Sequence, residues 1–344
     1  MSTAANRRWV NRPEGSNWGD FGPDDQLGRL NLITPQKVRE GVAEVREGLR
    51  FCLSLPLDMP GGNVLNPRRH PPRLSPTRAG HVPRWMFEVG SQTDGATDLI
   101  NDDAVLLHLQ YSSQWDSFAH VGSLFDADGD GRPERVFYNG YRGGIELPDV
   151  DRNDPNPTSA ARALSIDRFA ATPIQGRGVL VDLFAHLGGG REIVGYDGLM
   201  RIMEADRVEV TAGDMLLLHT GFGQQMLDWG GKPDADLIHR VNPALDGRDP
   251  RLLQWITDSG IAALIADNYA VEDSMLEKPS GRCAQMPLHE HCLFKLGLPL
   301  GEIWYLTELA NWLRANGRSR FLLTAPPLRL PGAVGSPVTG VATV

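Results

Sequence analysis

The chain has 344 residues, 41% hydrophobic and 22% charged, with 34 Lys and Arg against 43 Asp and Glu for a net charge of -9. That length suffices for a large core, and the acidic balance argues against a phosphate-backbone partner, so no nucleic acid is expected. No apolar run reaches the roughly 18 to 20 residues that span a bilayer, and the start, MSTAANRRWVNRPEGSNWGD, has an Arg pair with no apolar stretch behind it. No membrane partner and a cytoplasmic location are therefore expected. Cys52, Cys283 and Cys292 have no CxxC spacing, so all three are expected as buried free thiols.

Thr34-Pro35 offers an N-cap and a first-turn proline. Val38, Val42, Val45 and Leu49 follow on one helical face, which predicts a helix ending near Gly48. Residues 56–84 concentrate proline and basic residues, PLDMPGGNVLNPRRHPPRLSPTRAGHVPR, which opposes regular structure because proline fixes φ and lacks the ladder donor. The stretch reads as an ordered arm on a neighbouring subunit, as a surface loop or as disorder.

Beyond it, apolar runs predict buried strands at 104–109, 178–183, 214–219, 261–265 and 321–324. Helices are predicted at 197–205, 249–258, 287–296 and 307–315. The fold class is α/β or α+β, organised as an N-terminal arm and helix over residues 1–85 and a main domain over 86–344. The arm is expected to pack on that domain or on a neighbouring subunit. The closing PGAVGSPVTGVATV is too apolar for a solvated linker and is expected to pack.

If residues 108–116 continue the strand at 104–109, one face carries His108, Gln110, Ser112, Gln114 and Asp116. A buried row of that kind calls for a charged or hydrogen-bonding partner, which a divalent cation would supply. His120 follows after a turn. The plain alternative is that Asp116 caps a helix and His120 is a satisfied core histidine. Downstream, His289 opens a predicted helix whose buried face carries Cys292, Leu293 and Leu296, and Glu302 begins the next element among apolar neighbours. His291 diverges from His289 by two positions.

Asp126, Asp128 and Asp130 with Gly131 copy the first half of a calcium loop, but position twelve is Phe137. Weak calcium binding and a solvated acidic turn both remain open there. No GxSxG elbow, P-loop or GxGxxG follows a strand in the required setting.

Trp18-Gly-Asp-Phe-Gly-Pro-Asp-Asp25, Asn31-Leu-Ile-Thr34, Val179-Leu-Val-Asp182, Gly213-Asp-Met-Leu-Leu-Leu-His-Thr-Gly221, Asp267-Asn-Tyr-Ala-Val-Glu272 and Gly335-Ser-Pro337 occur in that order. In them the chain resembles the cyclase-like metal-dependent hydrolases, which include bacterial kynurenine formamidase and isatin hydrolase, and is similar to the longer members. The resemblance implies one domain with a mixed β-sheet core of the swivelling β/β/α type. The family signature H-x-G-T-H-x-D-x-P-x-H falls with its aspartate on Asp116 and its last histidine on His120. Its first two histidines fall on Gln110 and Gln114, its Gly-Thr on Ser112-Ser113 and its proline on Phe118, so this chain departs from the pattern there. The family's later histidine and glutamate fall on His289 and Glu302.

The resemblance therefore implies one complete ion site, Asp116, His120, His289 and Glu302, beside a second that is lost or weakened, with Gln110 and Gln114 as poorer amide-oxygen donors. The expected cofactor is one divalent ion, manganese or zinc. The implied activity is hydrolysis of a C–N bond in a small amide, formamide or lactam by metal-activated water. Glu302, His120 or His291 would move the proton, and Trp115, Phe118 and Tyr141 are candidate substrate-binding residues. The alternatives are a lactone hydrolase, a cyclase or dehydratase on the same ion, and a non-catalytic small-molecule binding protein. A homodimer or homotetramer is expected from the resemblance.

Overall fold

The computed structural model describes residues 8–344; residues 1–7, the start of the segment read as an arm, lie outside the described residues. Its centre is a nine-stranded mixed sheet. In chain order the strands are β1 (Arg50–Cys52), β2 (Gln114–Asp116), β3 (Gln175–Asp182), β4 (Met215–His219), β5 (Ala263–Ala266), β6 (Leu300–Glu302), β7 (Arg320–Thr324), β8 (Gly335–Pro337) and β9 (Val341–Thr343). They lie side by side as β1-β9-β7-β3-β4-β5-β6-β2-β8. The run β3 to β6 is parallel, and every other pairing is antiparallel.

The parallel centre follows from sequence. Every residue of β4 and β5 is buried, as apolar runs must be when both faces of a sheet are covered. Each buried Leu, Ile or Met there contributes about 1.5–3 kcal/mol, enough to hold these strands centrally against weaker edge propensities. One helix on these faces runs Pro250–Ser259, where Asp249 accepts from the Arg251 and Leu252 amides, Pro250 fills the first turn and Gly260 stops it at φ 65. The helices Tyr196–Ala205 and Thr307–Ala315 also stand where predicted. The result is a single mixed α/β domain whose closing residues pack as strands β8 and β9.

Four expectations need correction. The first helix is shorter, Pro35–Ala43, and buries Lys37 and Gly41 rather than the valine face; Val42 is 53% exposed. Its contact with the sheet is polar and close. Lys37 Nζ meets the buried Asp214 at 3.0 Å, and a Cβ on Gly41 would fall 2.7 Å from the Gly176 carbonyl carbon.

Second, residues 104–109 are no buried strand and do not run on to 116. Asp103–Leu106 is an exposed strand paired with Arg73–Pro76 outside the main sheet, and turns separate it from β2. Third, the proline-rich stretch is partly regular, with strands at Arg73–Pro76, Arg78–Ala79 and Val82–Pro83. The excursion 73–106 spans the boundary drawn at residue 85. Fourth, Cys52 and Cys283 are exposed and only Cys292 is buried. Among the described residues no helix is long and apolar enough to cross a membrane.

Candidate metal centre

Strand β2 lies between β6 and β8, with Gln114 opposite Glu302 and Asp116 opposite Leu300. Side chains two apart on a strand share a face, and directly opposed residues share it too. Gln114, Asp116 and Glu302 are therefore thrown to one side of the sheet by register alone. Trp115 points to the other side, where it is fully buried against Trp304 and its Nε1–H donates to the Ala325 carbonyl.

His289 comes from a separate element. The helical turn Pro287–His289 runs directly into a π-helix, Glu290–Leu296, a rare form that recurs at functional sites. The buried Glu272 carboxylate stands behind it, accepting from the Leu288 and His289 amides and from His289 Nδ1 at 2.8 Å. Nε2 is thereby aimed at Glu302 Oε1, 3.0 Å away. Gly247 is the residue that admits this carboxylate, since a Cβ there would lie 2.0 Å from Glu272 Oε2.

One ligand atom each from Asp116, His289 and Glu302 lie within 4.8 Å of one another. Burial alone would lower the His289 pKa, but hydrogen bonds to Glu272 and Glu302, with their charges, raise it to about 10. Burial and the nearby Asp116 charge push Glu302 up to about 7, against the bond from His289.

The backbone beside both glutamates is strained. Val271 and Ile303 have φ of 57 and 56, a left-handed conformation that β-branched residues avoid and that clusters at functional sites. Asn268 holds both turns: its carbonyl accepts the Ile303 amide at 2.8 Å, and its side-chain oxygen accepts the Val271 amide at 2.8 Å.

His120 stands at the rim, its side chain 24% exposed and its Nε2 3.9 Å from Asp116 Oδ2, too long for a hydrogen bond. The Asp116 charge pulls its pKa up, but burial and the charges of His289 and Arg69 outweigh that and lower it. Arg69, which the sequence reading did not single out, donates Nη1–H to the Gln110 carbonyl. The Gln110 side chain packs on Gly335, across from Asp116. Glu272 and Asn268 were likewise visible only as parts of a motif.

Other candidates stand elsewhere. His291 is turned to Thr257 Oγ1 at 2.9 Å, and burial, with Lys295 and Arg29, lowers its pKa to about 4. Phe118 is fully buried between Tyr138 and Phe169. Tyr141 donates to the Asp24 carbonyl beneath the Arg8 guanidinium. Neither these two rings nor Trp115 faces the ligand group. Asp126, Asp128 and Asp130 converge in an exposed loop, where their oxygens accept from the Gly129, Asp130, Gly131 and Arg132 amides.

The residues of the Asp116 group fit a divalent ion. Both Asp116 oxygens and Gln114 Oε1 are buried without a hydrogen-bond partner. Leaving even one such group unmatched costs about 1–3 kcal/mol, and more when it is charged. Carboxylates, one imidazole and an amide oxygen form a donor set that manganese and zinc accept.

Residues 53–273 match the family described as putative cyclase. The chain belongs to that family. A crystal structure of a novel cyclase is similar at 28% identity, with 96% of this chain and 97% of that one covered and a TM-score of 0.73. Isatin hydrolase A from Labrenzia aggregata, bound to benzyl benzoate, shares the fold at 15% identity and a TM-score of 0.54, covering 90% and 98%. Isatin hydrolase A from Ralstonia solanacearum does so at 13% and 0.54, covering 90% and 97%. A comparison with curated proteins found no match.

Proposed function

We propose that this chain is a metal-dependent hydrolase that cleaves a C–N bond of a small amide, formamide or lactam. One observation carries the reading: the fully buried Asp116 carboxylate, without a hydrogen-bond partner, faces His289 and Glu302. These three residues hold one divalent ion, manganese or zinc, and Gln114 Oε1 adds a neutral oxygen donor. Such an ion, when bound, polarises a substrate carbonyl and brings the pKa of a water toward neutrality.

Glu302 is held between Gln114 Nε2 and His289, which suits a ligand better than a free base. His120, partly exposed beside Asp116 with a lowered pKa, takes the proton from attacking water and returns it to the departing nitrogen. His291 has no part in this reading. A cavity of about 960 Å³, lined by Val121, Phe125, Met286, Pro287 and Phe294 among others, lies beside the chain neighbours of His120 and His289. It receives the apolar body of the substrate. The fold shared with isatin hydrolases supports a cyclic amide, and the cytoplasm is the setting in which we place the enzyme.

A dehydrative cyclisation at the same ion is the second reading, favoured by the relative described as a novel cyclase. Product mass separates the two, because hydrolysis adds water and cyclisation removes it. The deciding experiment is elemental analysis of protein purified without chelators. About one manganese or zinc per chain supports the reading, and no retained ion after loading with excess of both overturns it.

A further inference from the structure

Residues 56–70, the proline-rich segment that leads away from β1, are tied back onto the turns that lead into β2. Ser112 Oγ donates to the Pro56 carbonyl at 3.2 Å, the Tyr111 hydroxyl to the Gly62 carbonyl at 2.8 Å, and Arg69 Nη1–H to the Gln110 carbonyl at 2.8 Å. The His70 amide donates to His108 Nδ1 at 3.3 Å, and the two rings lie 5.4 Å apart. These contacts fix one strap of chain along the segment that enters the candidate metal centre.

Arg69 is the cation that the strap delivers. Its place follows from its partner, because the Gln110 side chain packs on Gly335, which stands directly opposite Asp116. Burial governs the pKa of Glu302, and the Asp116 charge acts most on His120, yet the Arg69 charge lowers the pKa of both. A charge acts in this way only from close by.

The guanidinium is not used up in holding the fold. It is a fork of several N–H donors, and the Gln110 carbonyl is the one acceptor it meets among the described residues. It joins no ion pair among them. Arginines that brace the fold are spent differently: Arg29 donates to the Ile256, Thr257 and Ile261 carbonyls, and Arg177 to Asp214 and Thr211. Arg69 is held in place with its remaining donors free for a ligand.

Charge at the centre selects the part of the ligand that those donors meet. Asp116 and Glu302, as carboxylates, offset both charges of a divalent ion, and Glu272 adds to them behind His289. When water adds to a carbonyl its oxygen becomes negative, and a centre already neutralised holds that charge poorly. A fixed cation with oriented donors is worth most at that point, and a guanidinium stays charged at every working pH.

We propose that Arg69 is a catalytic residue of the hydrolysis, donating N–H bonds to the oxygen of the scissile carbonyl and holding the negative charge that forms on it. This rests on the hydrolase reading above. The water oxygen bonds to the carbonyl carbon as its proton passes to His120, and the C=O electron pair moves onto the oxygen against Arg69. The pair then returns, the C–N bond breaks, and the nitrogen leaves with the proton from His120. Arg69 gives up no proton. The product is a carboxylate, whose paired oxygens fit the same fork.

Benzoate, a carboxylate with no bond to hydrolyse, and benzyl alcohol, a neutral counterpart, test this when titrated calorimetrically into the manganese-loaded full chain. Wild type should bind benzoate at least about tenfold more tightly than benzyl alcohol. Arg69→Met should lose about tenfold in benzoate affinity and nothing for benzyl alcohol, and Arg69→Lys should recover part of the loss. Manganese affinity should hold or rise in Arg69→Met, because a cation facing the ion is removed, whereas an arginine that only braced the fold would take the ion with it. On any amide or lactam that wild type turns over, Arg69→Met should lower kcat by about 10²–10³ with little change in KM. Tyr111→Phe, which removes another anchor of the strap and leaves the charge, should match wild type in both titrations. Equal benzoate affinity in wild type and Arg69→Met, or an equal loss in Tyr111→Phe, overturns the proposal, and about one manganese per chain in those proteins leaves the hydrolase reading standing. A wild type that retains no manganese overturns both.

Discussion

Gln114 and Glu302 stand directly opposite each other on adjacent antiparallel strands, and Gln114 Nε2 donates to Glu302 Oε2 at 2.9 Å. This contact decides what each can do. Glu302 Oε1 is left to face His289, and Gln114 Oε1 is left buried without a partner beside Asp116. A histidine at 114 would bring an imidazole to that place; the glutamine instead fixes the carboxylate.

Asp116→Asn should separate ion binding from folding. With the ion chelated, removing an unmatched buried charge should raise stability by about 1–3 kcal/mol. The variant should then gain nothing from manganese, whereas wild type gains about 2.7 kcal/mol at a hundredfold excess over the dissociation constant. Thermal unfolding with EDTA and with manganese gives both numbers; equal manganese stabilisation of the two proteins would remove Asp116 from the site.

Glu272→Gln should weaken manganese binding by about 10–100-fold. The carboxylate now accepts three N–H donors around His289, and an amide turns one of its two positions into a donor. Titration calorimetry measures the change, and unaltered affinity would mean that His289 needs no orienting partner.

His120 and His291 should part company. His120→Asn is expected to keep the ion and lose about 10²–10⁴ in kcat on whichever amide or lactam is turned over. His291→Asn should leave turnover and ion content alone, since that ring faces Thr257. The opposite ranking would reassign the proton transfer.

Asp182 supplies a pH signature away from the ion. Burial raises its pKa, but the hydrogen bond and charge of His219, the Ala185 amide and Arg314 outweigh that and hold it below the usual carboxylate value. A depressed folded pKa means stability that is present above the unfolded value, near 3.9, and lost as pH falls through the folded one. Asp182→Asn should therefore cost about 1–3 kcal/mol at pH 7 and flatten the loss of stability below about pH 4. A parallel acid limb in urea melts of both proteins would refute the assignment.

Local information was enough for elements whose pattern and burial agree. The apolar runs of β3, β4, β5 and β7 and the capped helix after Asp249 were legible because each sets its own periodicity or cap. The helix after Thr34 was misread in its face, because Lys37 finds its partner in Asp214 at a separation that no local pattern records. The strand at 103–106 was misread as buried because its apolar residues are the same whether they face a core or open solvent. Gly247, Asn268, Glu272 and Arg69 were passed over for a related reason: each acts on a residue brought to it by pairing or turn geometry.

The sequence by itself supplied the candidate residues of the proposed site, Asp116, His120, Gln114, His289 and Glu302, together with the parallel apolar centre beside them. Only the tertiary structure decided how those residues are used. The register of β2 against β6 puts Asp116, Gln114 and Glu302 on one face and turns Trp115 away, and the Glu272 carboxylate selects His289 over His291. Strand register and buried hydrogen bonds join residues nearly 190 positions apart, and their energies arise only once the chain has folded.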